Sequence, residues 1–167
     1  MTHRPLLRAL FLAGLGICLS AHAQLVTPDP DWKETEAPPP PSFNKDRALP
    51  IEMPSFMTLK FGVDPDTITV TSDGIIRYVM VAISPSGTVN AMYEGIRCST
   101  GQVRTYARFT SGGWSESKDV EWRDWLSRMP SHHAAAFARQ GACEGRAAAG
   151  PREAIVRNLR NPVKFQP

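Results

Sequence analysis

The residues of this chain best suited to chemistry are few. They are two adjacent histidines, His132 and His133, the polar segment Tyr93-Glu94-Gly95-Ile96-Arg97-Cys98, and Cys143 far downstream. A glutamate or histidine is ordinary equipment for moving a proton, so Glu94 and His132 are the candidate acid or base. Neighbours on a helix point about 100° apart, and the two histidines therefore cannot chelate one ion as an i, i+4 pair does. No Gly-rich phosphate loop, GxSxG elbow, HExxH or paired metal-ligand spacing occurs. No catalytic residue, metal or cofactor is expected. What is left is recognition: Tyr93, Arg97, Arg104, Tyr106 and Arg108 offer aromatic rings and guanidinium forks suited to an anionic or planar group. A plain solvated face is the rival reading of the Arg104-Tyr106-Arg108 stripe.

Strand parity sorts these residues. Side chains alternate along a strand, so Glu94, Ile96 and Cys98 share one side while Tyr93, Gly95 and Arg97 share the other. A bond from Cys98 to Cys143 would put the first set on the helix-covered side. Glu94 would then be a buried structural residue needing a cationic partner, expected to be an arginine. Tyr93 and Arg97 would face outward. A bulge at Gly95 would swap that assignment.

The start of the chain reads as an export signal. Arg4 and Arg8 precede the apolar run 9–19, and Ala21-His22-Ala23 is a small-x-small cleavage site before Gln24. The run is about half of the roughly 20 apolar residues a spanning helix needs. Ile17 before Cys18 disfavours lipoprotein processing. Cleavage after Ala23 predicts a periplasmic or secreted protein with no transmembrane segment in the mature chain. Without Arg4 and Arg8, the 19 basic residues fall to 17 against 16 acids, a net of +1. A near-neutral chain has no electrostatic reason to coat nucleic acid. Export leaves Cys98 and Cys143 as the mature cysteines, and two cysteines in an oxidising compartment usually pair. Two buried free thiols are the alternative.

The elements that must position these residues fall into two parts. Residues 24–54 hold eight prolines, including Pro38-Pro39-Pro40-Pro41, and read as an extended, unpacked tail. Trp32 in that tail is either docked on the domain or a partner, or a stray exposed aromatic. Residues 55–167 form the folded domain. Strands are expected over 56–63, 67–71, 75–84, 88–97 and 103–109, with Asp73-Gly74 turning the second into the third. The run IIRYVMVAIS at 75–84 is apolar on both faces and predicts the central strand. Trp122, Trp125, Leu126 and Met129 recur at helical spacing before Pro130. Ser131 is placed to cap a helix over 132–140, and Pro151 to open another over 152–160 with Ile155 and Leu159 inward. The expectation is a single α+β domain: an antiparallel meander of about five strands, then two or three short helices covering one sheet face.

One set of residues resembles a known family. Asp73-Gly74-Ile75-Ile76-Arg77-Tyr78, the stretch 84–87, Tyr93-Glu94-Gly95-Ile96-Arg97-Cys98, Tyr106-Ala107, Gly113-Trp114, a histidine within 131–133 and Cys143 follow one another as in the cryptic neisserial protein-like domains. Those are small exported proteins of Gram-negative bacteria. The resemblance spans about 31–160 and implies export, a single domain and the two cysteines, but no reaction. Gly141-Ala142 stands where aromatic residues are expected before the cysteine. Two functional readings follow: a non-catalytic periplasmic binding or interaction module for an envelope protein or an anionic ligand, and an envelope hydrolase using Glu94 or His132.

Overall fold

A computed structural model describes residues 29–110, 112–119, 121–127 and 132–161. The expected signal peptide, 1–23, lies outside the described residues. Among those described, eight strands form one antiparallel sheet. They are β1 (Leu49–Ile51), β2 (Lys60–Val63), β3 (Thr69–Val70), β4 (Ile75–Ile83), β5 (Val89–Arg97), β6 (Gln102–Thr110), β7 (Gly113–Glu116) and β8 (Arg123–Asp124). The order is β1-β2-β4-β5-β6-β7, with β3 also pairing with β4 and β8 with β6. A short ribbon follows, β9 (Cys143–Glu144) and β10 (Ala147–Ala148), flanked by helices α1 (His133–Phe137) and α2 (Arg152–Arg160). A π turn over Ala138–Ala142 continues α1 and ends at Gly141, whose φ of 128° suits glycine.

This architecture corrects the α+β expectation of five strands followed by helices. Among the described residues the regular structure is mostly strand, and its helical part shrinks to short pieces. The helix predicted from Trp122 onward is absent: Arg123 and Asp124 pair with Val103 and Gln102 of β6, and Trp125 and Leu126 form a turn. The apolar spacing failed because its members go to different places. Trp122 turns its indole N–H to an acceptor, as a half-buried tryptophan must, and Leu126 is exposed. Met129, Pro130 and Ser131 lie outside the described residues. The cap expected of Ser131 falls there, and α1 begins after His132, which has φ 50°. The helix opened by Pro151 does form, with Ile155 and Leu159 buried.

Both faces of the sheet are covered, by different means. Ile76, Tyr78 and Met80 of β4, with Ile96 and Val103, pack against Phe137, Ile155 and Leu159 on the helix side. Val79 and Val81, with Ala91, Tyr93 and Ala107, form a second cluster on the opposite side. The cover there is the proline-rich segment itself. Residues 29–48, expected as an unpacked tail, run across this face as a strap, and β1 follows directly. Phe43 packs edge-on against Phe109 and Trp114. Arg47 forks onto the buried Asp64 carboxylate at 2.8 Å with each of two nitrogens, and the Asn44 N–H donates to it at 2.7 Å. Burial raises the Asp64 carboxyl, but these donors outweigh it and hold it below the ordinary range. Composition argued for disorder because the strap is poor in aliphatic residues. Its stability comes instead from a few aromatic and charged anchors.

Candidate functional site

The strap side carries the densest polar constellation among the described residues. Trp32, Glu34 and Thr35 come from the strap; Asp73 from the turn before β4; Arg77 from β4; Arg97 from β5; Arg104 and Tyr106 from β6; and Trp122 from the stretch leading to β8. The Glu34 carboxylate is the focus. Arg104 donates to one oxygen at 2.6 Å and the Trp122 indole at 3.0 Å, while the Tyr106 hydroxyl donates to the other at 2.7 Å. Arg77 stands 3.7 Å away. Three donors on one carboxylate are the geometry of anion recognition, strengthened because one is charged and all three are partly withdrawn from water.

Around that focus the strap is read residue by residue. Arg77 donates to the Thr35 carbonyl at 2.7 Å, and the Thr35 N–H and hydroxyl donate to Asp73 at 2.8 and 2.6 Å. The Trp32 indole donates to the Asp73 carbonyl at 2.8 Å, and the Arg97 guanidinium lies 3.4 Å from the centre of the Trp32 ring. Trp122 meets Trp32 edge to face. Burial pushes the Asp73 carboxyl up, yet its bonds to Thr35, Thr71 and Ile75 dominate and lower it to about 2. Burial, reinforced by the Glu34 carboxylate, pushes the Tyr106 phenol far up. Desolvation lowers the Arg97 guanidinium against the pull of Asp29, Asp73 and Glu34. The Nε atoms of Arg77, Arg97 and Arg104 are all buried without a hydrogen-bond partner.

Gly95 is what lets this site exist. A Cβ there would stand 2.6 Å from the Tyr106 hydroxyl and 2.9 Å from Ile75. The bare backbone of β5 is thus the floor on which Tyr106 lies. No bulge sits at Gly95; the register break falls on the partner strand. Tyr93 pairs with Ala107 and Glu94 with Thr105, leaving Tyr106 as the extra residue of β6. That break corrects the expected stripe. Arg104 and Tyr106 face the strap, but Arg108, opposite Met92, is turned to the helix side and lines a small hollow with Val103 and Thr105.

The other candidates fall as follows. Tyr93 and Arg97 lie on the side opposite Glu94, but that side is covered, and Tyr93 is only 2% exposed. Tyr93 is accordingly core beneath the strap rather than an outward contact. Asp73 and Gly74 form the hairpin turn, Gly74 with φ 80°. Cys98 and Cys143 are joined, Cα to Cα 5.8 Å, tying the end of β5 to the ribbon between the π turn and α2.

Glu94 is buried on the helix side, and its partner is not an arginine. His133 Nε2 lies 2.9 Å from one carboxylate oxygen; the Tyr78 hydroxyl donates at 3.0 Å and Thr105 at 3.1 Å. His133 stacks on Phe61 and is 3% exposed, Glu94 1%. Burial raises the Glu94 carboxyl, but His133, Tyr78 and Thr105 outweigh it and hold it below the ordinary value. Burial, with Glu94 adjacent, drives the Tyr78 phenol well above its usual range. His132, the histidine named as acid or base, is half-exposed and only its neighbour reaches Glu94.

Sequence reasoning missed Glu34, Thr35, Arg77, Trp122, Tyr78, Thr105 and His133 as members of these two networks. Trp32 was the one signal for the strap, a large aromatic in an otherwise polar stretch. Among the described residues no group of His, Cys, Asp and Glu side chains could hold a metal ion, and no helix is long and apolar enough to cross a membrane.

Fold and site together define a strand-rich, disulfide-bonded domain with a carboxylate seated on one sheet face. Residues 27–160 match the model of the CNP1-like family, and the chain belongs to that family. No curated protein and no solved structure matches it.

Proposed function

We propose that this member of the CNP1-like family is a cryptic neisserial protein-like binding module of the bacterial envelope, exported and non-catalytic, that takes an anionic ligand through Arg77, Arg97, Arg104 and Tyr106. The observation that carries the reading is the convergence of Arg104, Tyr106 and Trp122 on one carboxylate. Rigid donors preset around an anion are what a specific carboxylate site requires, because little ordering remains to be done on binding. The signal-like residues 1–23 and the Cys98–Cys143 bond support export into an oxidising compartment. The hydrolase reading has less support: Glu94 is sealed in the helix-side core, where a substrate bond would not reach it.

Chemical rescue tests the reading. A Glu34→Ala variant removes the resident carboxylate and leaves its donors in place. Titrating that variant with acetate or succinate should shift the indole N–H signals of Trp32 and Trp122 back toward their wild-type positions. Adding Arg104→Ala should abolish the response. A Glu34→Ala variant that is folded and indifferent to both carboxylates would refute a preset anion site.

A further inference from the structure

The occupant of this site belongs to the same chain, and the manner of its seating points to a regulated binding groove. The strap holds on by side chains. No backbone-to-backbone hydrogen bond joins residues 30–43 to the sheet among the described residues, and the four prolines at 38–41 have no N–H to give. Trp32 and Glu34 point into the sheet face with exposed Lys33 between them, the alternation of an extended peptide laid on a surface, and Thr35 turns its hydroxyl to Asp73. Asp29, Pro30, Asp31 and Glu36 are exposed as well.

The groove under the strap is more fully built than its occupant needs. Arg77 is 1% exposed and held by Thr71 at 3.0 Å, yet its Nε has no partner. The Nε atoms of Arg97 and Arg104 are in the same state. Among the described residues Arg97 makes no ion pair and only stacks on Trp32. Buried donors without acceptors cost free energy that a better-matched occupant would recover. A structural strap selected only for stability has no reason to leave three guanidinium nitrogens unanswered.

Resting on the anion-binding reading, we propose that residues 29–36 are an intramolecular stand-in for the true ligand. That ligand is an extended acidic peptide segment of another protein carrying an aromatic residue two positions before a carboxylate. Arg97 and the Asp73 carbonyl take the aromatic residue, Arg104, Tyr106 and Trp122 take the carboxylate, and Arg77 with Asp73 takes the next residue's backbone. The strap keeps the groove closed until such a segment displaces it. Its tether sets the threshold: a short linker gives a local concentration on the order of millimolar, so a weak ligand loses to the strap and a well-matched one wins.

The test uses the full mature chain and a synthetic peptide of residues 29–36, with a second peptide carrying glutamine in place of Glu34. Wild type and a Trp32→Ala/Glu34→Ala variant are titrated with each. The vacated variant should bind the first peptide about tenfold or more tightly than wild type does, as removal of a tethered competitor requires. The glutamine peptide should bind at least about tenfold more weakly. Equal binding by wild type and variant would place the peptide elsewhere and overturn the proposal. So would a folded variant that ignores the peptide; if acetate still rescues Glu34→Ala, the anion site stands and only the peptide-groove inference falls. Should the variant not fold, hydrogen exchange on wild type decides. The Thr35 amide should exchange through local opening, well ahead of the amides in the β4–β5 ladder. Exchange of Thr35 only with global unfolding would show the strap to be a fixed part of the fold and would overturn the proposal.

Discussion

Arg104 donates to the Glu34 carboxylate at 2.6 Å, joining two residues 70 positions apart across the face of the sheet. Both side chains are mostly withdrawn from water, Arg104 at 26% and Glu34 at 15% exposure. The pair should therefore act as a clamp with measurable coupling, unlike an exposed ion pair. Glu34→Ala and Arg104→Ala should each cost about 1–3 kcal/mol, and the double variant clearly less than their sum. Urea unfolding of the four proteins measures the coupling. Strict additivity would mean that the two groups stabilise the fold independently.

The Asp73 carboxyl, lowered to about 2, makes strap docking sensitive to acid. The unfolded chain should release this proton near 3.9, the ordinary aspartate value. Between about pH 4 and pH 2 the unfolded state binds more protons than the folded one, so stability rises with pH there. The contribution is fully present above about pH 4 and is lost as pH falls through about 2. Its size is on the order of 2 kcal/mol. Asp73→Asn should flatten that part of the stability–pH curve, measured by thermal unfolding at a series of acidic pH values. An unchanged slope would show that other carboxyl groups control the acid limb.

Glu94 is the group whose removal should hurt most. It answers Tyr78, Thr105 and His133 at once in a sealed core. Glu94→Ala leaves those polar groups buried without their shared acceptor and should cost about 3–5 kcal/mol. Glu94→Gln, which keeps the shape and one carbonyl oxygen, should cost less. A Glu94→Ala protein as stable as wild type would contradict the buried network.

Much of the sheet could be read from the sequence. The apolar run in β4, the Asp73-Gly74 turn and the spacing of β5 and β6 are governed by local alternation and turn chemistry, which act within a few residues. The doubly apolar β4 reads as the central strand, but the expectation of cover on one face alone left its second apolar side unexplained. What covers the second face was hidden, because the strap's anchors are contacts between residues 17 to 88 positions apart, beyond the reach of local patterning. Trp32 with Asp73 and Glu34 with Trp122 leave no periodic trace. Trp122 misled for the same reason: its helical spacing from Trp125 and Leu126 is real, but a distant carboxylate and the open edge of β6 claim the segment. The parity of Glu94 followed from Cys98, as did the side on which Tyr93 lies. The exposure of Tyr93 did not, since parity names a face and says nothing of what lies on it. Arg108 escaped because one extra residue at Tyr106 turns every later side chain of β6 over.

The Cys98–Cys143 bond closes a loop of 45 residues, spanning β6 to β8 and the first helix. In the chain-entropy account a loop of that size lowers the freedom of the unfolded chain by about 4 kcal/mol, less where native strain offsets it. Reduction, or Cys98→Ala with Cys143→Ala, should lower the melting temperature without abolishing strap docking, which rests on other contacts. The Trp32 indole N–H resonance in the reduced protein reads this directly, since that group donates to the Asp73 carbonyl only while the strap is docked. Loss of the native Trp32 signal below the unfolding transition would couple the bond to the strap.

Gly95→Ala separates the site from the fold most cleanly. The added methyl meets the Tyr106 hydroxyl at 2.6 Å, and that hydroxyl is the far end of a side chain that can swing, whereas Ile75 at 2.9 Å is packed. Overpacking of this kind costs about 1–3 kcal/mol, and Tyr106 should yield first. Once it moves, Glu34 loses its 2.7 Å hydroxyl donor while Arg104 and Trp122 stay in reach. The variant should stay folded, with its β4–β5 ladder intact by amide exchange, but hold the strap more loosely. Measured against the β4–β5 ladder of the same protein, the Thr35 amide should then exchange faster than it does in wild type. A Gly95→Ala protein whose strap is as protected as before would show that Tyr106 can keep its bond to Glu34 from a second position, and that glycine is not required beneath it.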